Sequence, residues 1–349
     1  MDKKFVAYIG SYTNYGKSKG IAMFDVDAEK GILTKKGDIE VHNCSAICAS
    51  RDGKFVYAVV DEGVAAFAVE KDGNLRPLNT GSIRGMRGCS IDVDSKNRFL
   101  IVAGYHDSKL TVVKIEDDGS VGPVTDSYFE QGYGSVVEGN FNPHITCVKF
   151  SPDENYVCAV VQALDHIKIF RLDPRDGTLS FADVVRCELD SHPRKMEFSP
   201  DGRHLYIMSE KKSYIAVYDY ADGGQRPVIG FKQLVSTQPK KGSSFSVACA
   251  LEIPPSGRYV IAANAGANTI ALFDRNDENG LLYQRFVLPV SGDFPKRVVM
   301  LPGEQYLLSL NHVSNSVTCF HVMEDKKYMV MNGRSIDVDY PNCCAVVEI

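Results

Sequence analysis

The sequence predicts an all-β protein, a seven-bladed β-propeller with four-stranded antiparallel blades, and three observations lead to this prediction. A turn followed by a β-branched or aromatic run recurs six times along the chain. The recurrences begin about 45 to 57 residues apart, which is the spacing of propeller blades. Finally, the C-terminal segment "NCCAVVEI" has nearly the same pattern of residue types as "NCSAICAS" near the N-terminus.

The strands are predicted from the turns that precede them. The six recurrences are "SRDGKFVYAVV", "DSKNRFLIVAG", "SPDENYVCAVV", "SPDGRHLYIMS", "PPSGRYVIAAN" and "LPGEQYLLSLN". Each is followed by a second strand-like run, and most continue through an Asp-Gly turn into a short outer strand. Asp-Gly turns suit hairpins because Gly accepts positive φ, and alternation with period two is typical of strands. The Gly- and Ser-rich segments 125–142 and 228–246 are predicted to be long connections, the first of which could cap the central channel.

The two ends of the chain are predicted to share one blade. A short strand precedes each recurrence, as in "NPHITCVKF". Residues 4–36 supply three further strands with nothing before them, whereas "NCCAVVEI" supplies one strand with no blade after it. Pairing these fragments completes a seventh blade and closes the ring, which removes an exposed strand edge. We therefore expect residues 1–349 to form a single propeller domain.

Composition and charge exclude several classes of protein. Hydrophobic residues make up 44% of the chain and charged residues 24%, as in globular domains. The net charge of -5 gives no electrostatic reason to expect binding to nucleic acid or to an anionic membrane. No apolar run approaches the roughly eighteen residues of a membrane helix, and the basic N-terminus lacks the apolar core of a signal peptide. We expect a cytoplasmic protein, either a monomer or a weak homodimer.

The cysteines and the known catalytic motifs give no sign of a metal or cofactor. The chain has ten cysteines but no Cys-x-x-Cys pair. Most of them lie in short apolar or alternating runs, so we expect small, buried, reduced thiols in strands. Gly-x-Ser-x-Gly, Walker, His-Glu-x-x-His and EF-hand sequences are all absent. The sequence therefore predicts no metal site and no cofactor.

The residues that face the channel can be predicted by aligning the blades on their turns, because alternate side chains of each innermost strand point inward. One inward position holds Ser45, Cys89, Thr146, Arg194, Cys249, Lys296 and Cys344. Two residues earlier, the same face holds Asn43, Arg87, His144, His192, Val247, Phe294 and Asn342. The second strands bring Asp61, Tyr105, Glu210, Asn264 and Asn311 to the same end, with His106 and His312 beside them. A register error of one residue would turn the affected side chains away.

This predicted face is polar, and its chemistry supports two interpretations. Its cations are concentrated at Arg194, Lys195, Lys296 and Arg297. Cations facing a narrow opening can bind a carboxylate or a phosphate, and Arg can do so with two parallel hydrogen bonds. Glu210 or His144 could act as a general base toward water. Alternatively, Arg194 and Glu210 form a structural ion pair, and His144 is only part of the framework.

Three segments, "YIGSYT", "NPHITCVKFSPDENY" and "HPRKMEFSPDGRHLY", resemble the seven-bladed lactonase family. That family includes bacterial propeller-type 6-phosphogluconolactonases and fungal carboxy-cis,cis-muconate cyclases. The resemblance covers essentially the whole chain and is most specific in the Pro-His and Pro-Arg inner strands. It implies a metal-independent site in the channel mouth that hydrolyses or forms the lactone of an acidic sugar or organic acid.

The resemblance transfers to this chain residue by residue. It implies catalytic roles for Arg194, Glu210 and His144, which match the family's Arg, Glu and first His. Other family positions are altered, and they hold Thr146, Val161, Lys195 and Ala265 in place of His, Asp, His and Arg. We expect substrate contacts from Lys296, Asn264, Tyr105, His106, Asn311, His312 and Thr146.

Our leading hypothesis is a carboxylic ester hydrolase that acts on a sugar-acid lactone, with 6-phosphogluconolactone as one candidate. In this hypothesis Arg194 and Lys296 hold the anionic substrate and stabilise the developing oxyanion. The altered positions favour two alternatives, a propeller without catalysis that binds a small anion or a protein partner, and a muconate-type lactonising cyclase. Whether the chain is an enzyme is left open by the sequence.

Overall fold

The computed structural model describes residues 3–132, 142–239, 246–323, 326 and 328–349 as seven sheets. Within these residues no helix is long and apolar enough to cross a bilayer. From the channel outward, blade 1 contains β29 (Pro341–Glu348), β1 (Phe5–Ser11), β2 (Gly20–Asp27) and β3 (Ile32–Glu40). Blade 2 contains β4 (Ala46–Ala49), β5 (Phe55–Val60), β6 (Gly63–Val69) and β7 (Leu75–Gly81). Blade 3 contains β8 (Ser90–Val93), β9 (Phe99–Gly104), β10 (Lys109–Ile115) and β11 (Val121–Phe129).

The remaining blades repeat this order. Blade 4 contains β12 (Ile145–Phe150), β13 (Tyr156–Val161), β14 (His166–Leu172) and β15 (Leu179–Arg186), with a 3-10 turn at Gln162–Leu164. Blade 5 contains β16 (Pro193–Phe198), β17 (His204–Ser209), β18 (Tyr214–Ala221) and β19 (Val228–Ser236). Blade 6 contains β20 (Val247–Glu252), β21 (Tyr259–Ala265), β22 (Thr269–Arg275) and β23 (Leu282–Pro289). Blade 7 contains β24 (Pro295–Met300), β25 (Tyr306–Asn311), β26 (Ser316–Met323) and β27 (Tyr328–Met331), and β28 (Ile336–Asp337) also pairs with β26.

The innermost strands form a closed ring, which confirms the predicted propeller. They contact one another in the order β29, β4, β8, β12, β16, β20 and β24, and β24 contacts β29 again. Strand β29 lies antiparallel to β1, from the pair Phe5–Glu348 to the pair Ser11–Pro341. The C-terminal segment therefore supplies the innermost strand of the N-terminal blade, as the sequence predicts.

A recurring Ser-x-Asp turn sets the start of the second strand in blades 2, 4 and 5. In blade 2 the Ser50 hydroxyl donates to Asp52 at 2.7 Å and accepts the backbone N–H of Phe55 at 3.0 Å. The same two bonds recur in blades 4 and 5, between Ser151, Asp153 and Tyr156 and between Ser199, Asp201 and His204. Because the turn fixes where the following strand begins, aligning the blades on it predicts the strands correctly.

Apolar side chains fill the space between each pair of neighbouring blades. Seven buried clusters occur, and each combines residues from two adjacent sheets. Burial of this surface stabilises the ring, because every blade covers the faces of its two neighbours. The core is therefore distributed around the ring, and the polar residues of the inner strands are left to line the channel.

The predicted connections were too long at two places. Segment 125–142 begins inside β11, and segment 228–246 begins with the whole of β19. Both strands alternate apolar and polar residues only weakly, since much of an outer strand is exposed. Residues 133–141 and 240–245, and with them the predicted cap over the channel, lie outside the described residues.

Candidate functional site

The second strands of blades 4, 5 and 7 end at one structurally equivalent position. There, the backbone N–H groups of Gln162, Glu210 and His312 donate to the carbonyl oxygens of His144, His192 and Phe294, each at 2.9 Å. The three acceptor residues have φ values of 56°, 50° and 58°. Such left-handed backbone is uncommon outside Gly, and it turns the chain sharply into each inner strand. This repeated geometry brings the ends of several strands to one end of the channel, called the channel mouth below.

Arg194 and Glu210 form an ion pair at the channel mouth. Arg194 Nη1 lies 2.5 Å from Glu210 Oε1, and Gln162 from the neighbouring blade donates its side-chain N–H to Glu210 Oε2. The side chains of Arg194 and Glu210 are 28% and 21% exposed. Each carboxylate oxygen therefore accepts one hydrogen bond and keeps lone-pair capacity for a second donor. Arg194 and Glu210 are brought together as predicted, whereas the contribution of Gln162 was not anticipated.

His144 lies against Tyr105 on the neighbouring blade. The two rings stack at 4.0 Å with an interplanar angle of 7°, and His144 Nδ1 donates to the Tyr105 carbonyl oxygen at 2.8 Å. This bond fixes the proton of the neutral ring on Nδ1, so that Nε2 carries the lone pair. Burial, followed by the Glu210 carboxylate, raises the pKa of Tyr105, while Arg194 opposes the shift. Tyr105 therefore holds His144 through both its ring and its backbone carbonyl group.

A second cluster surrounds Tyr12 on the other side of the mouth. Lys296 Nζ lies 4.5 Å from the centre of the Tyr12 ring, and the Arg87 guanidinium lies 4.9 Å from it. Lys296 donates to Asn342 Oδ1 at 2.7 Å, and Arg87 pairs with Asp61 at 2.5 Å. Both cations thus contact the same aromatic ring, a favourable arrangement for partly desolvated positive charge. Tyr12 directly follows β1, just as Glu210 directly follows β17. The two residues therefore occupy equivalent positions in blades 1 and 5.

Two of the cations in the mouth lack a carboxylate partner among the described residues. Within this part of the chain the Lys195 side chain makes no ion pair or hydrogen bond, and the Lys296 ammonium donates only to a neutral amide. Burial, followed by repulsion from Arg194 and from Lys195, lowers the pKa of Lys296 to about 8. Lys195 also acts to lower the pKa of Cys89, which belongs to blade 3. Lys195 and Lys296 therefore add positive charge that no carboxylate among the described residues offsets.

Two further pairs of charged residues on the inner strands neutralise each other. Lys149 pairs with Glu197 at 2.9 Å, and Arg297 pairs with Glu252 at 2.7 Å. Arg297 was predicted to belong to the group of ligand-facing cations, but its charge is matched by Glu252. Within the described residues, no three His, Cys, Asp or Glu side chains are arranged to hold a metal ion.

Asn264 and Asn311 do not face the opening, which corrects the predicted substrate contacts. Both are fully buried. The amide of Asn264 bonds to Thr237 and Thr269, and that of Asn311 bonds to Ser309 and Thr318. They precede the strand-end position by one residue, and a shift of one residue in a strand reverses the direction of the side chain. We therefore place both in the framework that supports the site.

The other predicted contacts are placed differently around the mouth. His106 is exposed and contacts Tyr105 edge-on at 5.3 Å. His312 contacts Tyr12 edge-on at 5.7 Å, and burial, followed by Lys296, lowers its pKa to about 4, so it is neutral at pH 7. Thr146 is buried, and its hydroxyl has no hydrogen-bond partner among the described residues.

The cysteines at the aligned inner positions pack between blades. Cys249 and Cys344 are 2% and 6% exposed and belong to apolar clusters. Cys89 is half-buried, and its thiol contacts the Ile145 carbonyl oxygen at 3.3 Å. The expectation of small, buried thiols is confirmed for Cys249 and Cys344, whereas their predicted orientation toward the channel is wrong.

The shifted pKa of Lys296 predicts how stability depends on pH. The unfolded chain holds this proton up to about pH 10.5, but the folded protein releases it near pH 8. Between these values the unfolded state binds more protons, so this residue makes the free energy of unfolding increase with pH. We expect Lys296→Met to be more stable than the wild type at pH 7, by about 1–3 kcal/mol, and to lose most of this advantage at pH 9.5.

Urea unfolding at both pH values, with Lys71→Met at an exposed hairpin as the control, measures this difference. A gap between Lys296→Met and wild type that stays constant from pH 7 to pH 9.5 would contradict the assigned shift. An equally large pH-dependent gain in stability in Lys71→Met would also contradict the assigned shift, because Lys71 is exposed and lies outside the mouth.

Comparisons with known proteins agree with the architecture over nearly the full chain. A family model described as "Lactonase, 7-bladed beta-propeller" matches residues 6–346. A 6-phosphogluconolactonase of Bacillus subtilis (strain 168) is 29% identical over 351 residues, which cover 97% of each chain. A crystal structure from Bacteroides fragilis NCTC 9343, provisionally assigned as a 6-phosphogluconolactonase, has a TM-score of 0.90 at 28% identity and covers 99% of this chain and 98% of that chain. A periplasmic gluconolactonase of Pseudomonas aeruginosa, 23% identical with a TM-score of 0.88 and 99% coverage of each chain, shares the fold.

Proposed function

The chain belongs to the seven-bladed β-propeller lactonase family, and from this premise we propose that it hydrolyses the lactone of an anionic sugar acid. We propose the channel mouth as the site, with Tyr105, His144, Arg194, Glu210 and Lys296 as its residues. The names of the relatives support a sugar lactone as the substrate class. The charge of the mouth supports a substrate that carries an additional anionic group, such as a phosphate or a carboxylate.

The observation that carries this proposal is the excess of positive charge in the mouth. Arg194 and Arg87 are balanced by Glu210 and Asp61, whereas Lys195 and Lys296 have no carboxylate partner among the described residues. A cation held in a partly buried site without a counter-ion costs free energy in the empty protein. An anionic ligand offsets that cost when it binds, whereas a neutral analogue does not. The mouth should therefore bind the anionic ligand more tightly.

The arrangement can supply the steps of lactone hydrolysis. Water attacks the carbonyl carbon, the carbonyl oxygen becomes an oxyanion, and cleavage of the ring C–O bond then gives a hydroxy acid. Arg194 is the candidate for stabilising the oxyanion, since a fixed positive charge in a partly buried site is effective there. A general base must accept the proton of the attacking water, and a proton must reach the leaving ring oxygen.

Two groups are candidates for the general base. Glu210 keeps acceptor capacity, but both of its carboxylate oxygens already accept a hydrogen bond, one from Arg194 and one from Gln162. His144 is held by Tyr105 in the tautomer whose Nε2 accepts a proton. We propose His144 as the base and Glu210 as the residue that positions Arg194. The hydroxyl of Thr146 lacks a partner among the described residues, but it is buried, so we place Thr146 in the framework beside the site.

Binding without catalysis is a second candidate function, and one observation favours it. The same two hydrogen bonds that hold Glu210 satisfy an ion pair without any ligand, as in a purely structural bridge between blades 4 and 5. In that case the two lysines of the mouth would bind a sugar acid that the protein does not transform. The experiment below therefore measures hydrolysis and binding separately.

The test compares an anionic lactone with its neutral counterpart. Initial rates of hydrolysis of 6-phosphogluconolactone and glucono-δ-lactone are measured above their spontaneous rates, with wild type, Lys195→Met and Lys71→Met. We expect the wild type to prefer the phosphorylated lactone. Because Lys195→Met removes one cation, it should raise the KM for the phosphorylated lactone about tenfold, equivalent to about 1.4 kcal/mol. The KM for the neutral lactone should change little.

Two results would contradict the proposal. One is the absence of hydrolysis above background for both lactones, and in that case thermal stabilisation by 6-phosphogluconate would support the binding function instead. The other is an equal loss of activity toward both lactones in Lys195→Met, because charge recognition should affect only the anionic one. Lys71→Met should behave as wild type throughout.

A further inference from the structure

Two cysteines from opposite ends of the chain meet where the ring closes. Cys44 precedes β4 in blade 2, and Cys343 lies in β29 of blade 1. Their sulfur atoms are 3.7 Å apart, and both residues are buried. All ten cysteines lie within the described residues, and this is the one sulfur–sulfur hydrogen bond among them.

The pair follows from the repeat itself. The segments "NCSA" and "NCCA" place Asn-Cys at the same point in two adjacent blades. The Asn342 amide donates to the Cys44 carbonyl oxygen at 3.1 Å, which holds the two backbones side by side. Gly10 provides the space, because a Cβ at that position would lie within 2.5 Å of both sulfur atoms.

From this contact we propose that Cys44 and Cys343 are a site of disulfide formation that links the C-terminal strand covalently to blade 2. This inference goes beyond the proposed function and does not depend on it. A disulfide requires the sulfur atoms to approach to about 2 Å, which is a displacement of roughly 1.7 Å between two side chains. The bond would join residues 299 positions apart, so that blades 2 to 7 and β29 become one covalent ring.

The neighbouring Cys344 is an unsuitable partner for either residue. Successive side chains of a strand point to opposite faces, so Cys343 and Cys344 point away from each other. The thiol of Cys343 packs in the cluster between blades 1 and 2, and that of Cys344 packs in the cluster between blades 1 and 7. Cys344 therefore provides a matched control within the same strand.

A peroxide is small enough to serve as the oxidant. One thiolate attacks hydrogen peroxide to give a sulfenic acid and one water, and the second thiol then displaces the hydroxyl of the sulfenic acid as a second water. Two thiols and one peroxide thus give one disulfide and two waters. The hydrogen bond with Cys343, followed by burial, raises the pKa of Cys44 well above its ordinary value. Because the thiolate is the nucleophile, we expect a slow reaction at pH 7 and a faster one at pH 9.

The experiment treats the full-length protein with hydrogen peroxide, alkylates the remaining thiols and maps the peptides by mass spectrometry without reduction. We expect a peptide pair that joins Cys44 to Cys343 in wild type and in Cys344→Ala. The thermal midpoint of both should rise by several degrees, since a long loop is closed in the unfolded chain, and the rise should disappear after reduction. Cys44→Ala should show neither the peptide pair nor the rise.

The peptide map of the wild type decides the proposal even where a variant does not fold. A dominant link from Cys343 to Cys344, or from Cys44 to Cys344, would overturn it. Oxidation of other thiols while Cys44 and Cys343 remain unlinked would also overturn it. A rise of the thermal midpoint in Cys44→Ala equal to that of wild type would show that the stabilisation comes from another bond.

Discussion

Removal of residues 342–349 should destabilise the protein by at least about 5 kcal/mol, which is comparable with the whole stability of an ordinary domain. The deleted segment forms nearly all of β29 and pairs with β1 along its length. Cys343, Cys344 and Val347 are at most 8% exposed, and each buried apolar side chain contributes about 1–3 kcal/mol. Without them β1 becomes an exposed strand edge whose side chains are buried in the intact ring.

Thermal unfolding measures this effect, and we expect a midpoint at least ten degrees lower or no cooperative transition. A variant that lacks only Ile349 is the matched control, since it keeps the β1–β29 pairs and should melt within a few degrees of the full chain. Addition of a synthetic peptide with the sequence of residues 341–349 should restore much of the lost stability. A truncated protein that melts within a degree or two of the full chain would mean that β29 does not close the ring.

The number and order of blades could be predicted because each blade carries the same local information. The Ser50–Asp52 turn and its equivalents fix the start of the second strand by hydrogen bonds within a few residues. Closure of the ring was predictable because the N-terminal blade lacks its innermost strand, whereas the C-terminus supplies one strand with no blade after it. The outer strands β11 and β19 were predicted poorly, since their exposed faces lack strong apolar alternation.

The site was predictable only where the strand register was correct. Arg194 and Glu210 lie at positions that the turn alignment assigns correctly, and the structure brings them into contact. Asn264 lies one residue before the strand-end position to which the alignment assigned it. Because side chains alternate along a strand, Asn264 points into the framework and not into the opening. The equivalent strand-end position in blade 6 holds Ala265, so that blade offers no polar side chain there.

The missed residues show what sequence alone cannot supply. Gln162 could have been identified, because it follows β13 as Glu210 follows β17. Tyr12 could have been identified in the same way at the end of β1. Lys195 has no carboxylate partner among the described residues, and the sequence alone could not have predicted this. It depends on which side chains of distant blades reach the opening.

Arg194→Ala is expected to reduce kcat/KM for the anionic lactone by about 10² to 10³, as loss of a group that stabilises an oxyanion does. The difficulty is that the same change leaves Glu210 without its counter-ion, and breaking a partly buried pair costs about 2–3 kcal/mol of stability. Loss of activity alone therefore does not separate catalysis from structure. Arg194→Lys keeps the charge but not the planar guanidinium, so it should keep most of the stability and only part of the activity.

Glu210→Gln, combined with Arg194→Ala, resolves the two interpretations that the sequence leaves open. If Arg194 acts on the substrate and Glu210 positions it, Glu210→Gln should lower kcat about tenfold, and the double variant should be no worse than Arg194→Ala, because the two residues act as a unit. Rates and thermal midpoints are measured on the same four proteins. If the pair only joins its strands, the midpoints will fall while kcat/KM of the folded protein stays near that of wild type in every variant. That outcome would move the chemistry to His144 and the two lysines.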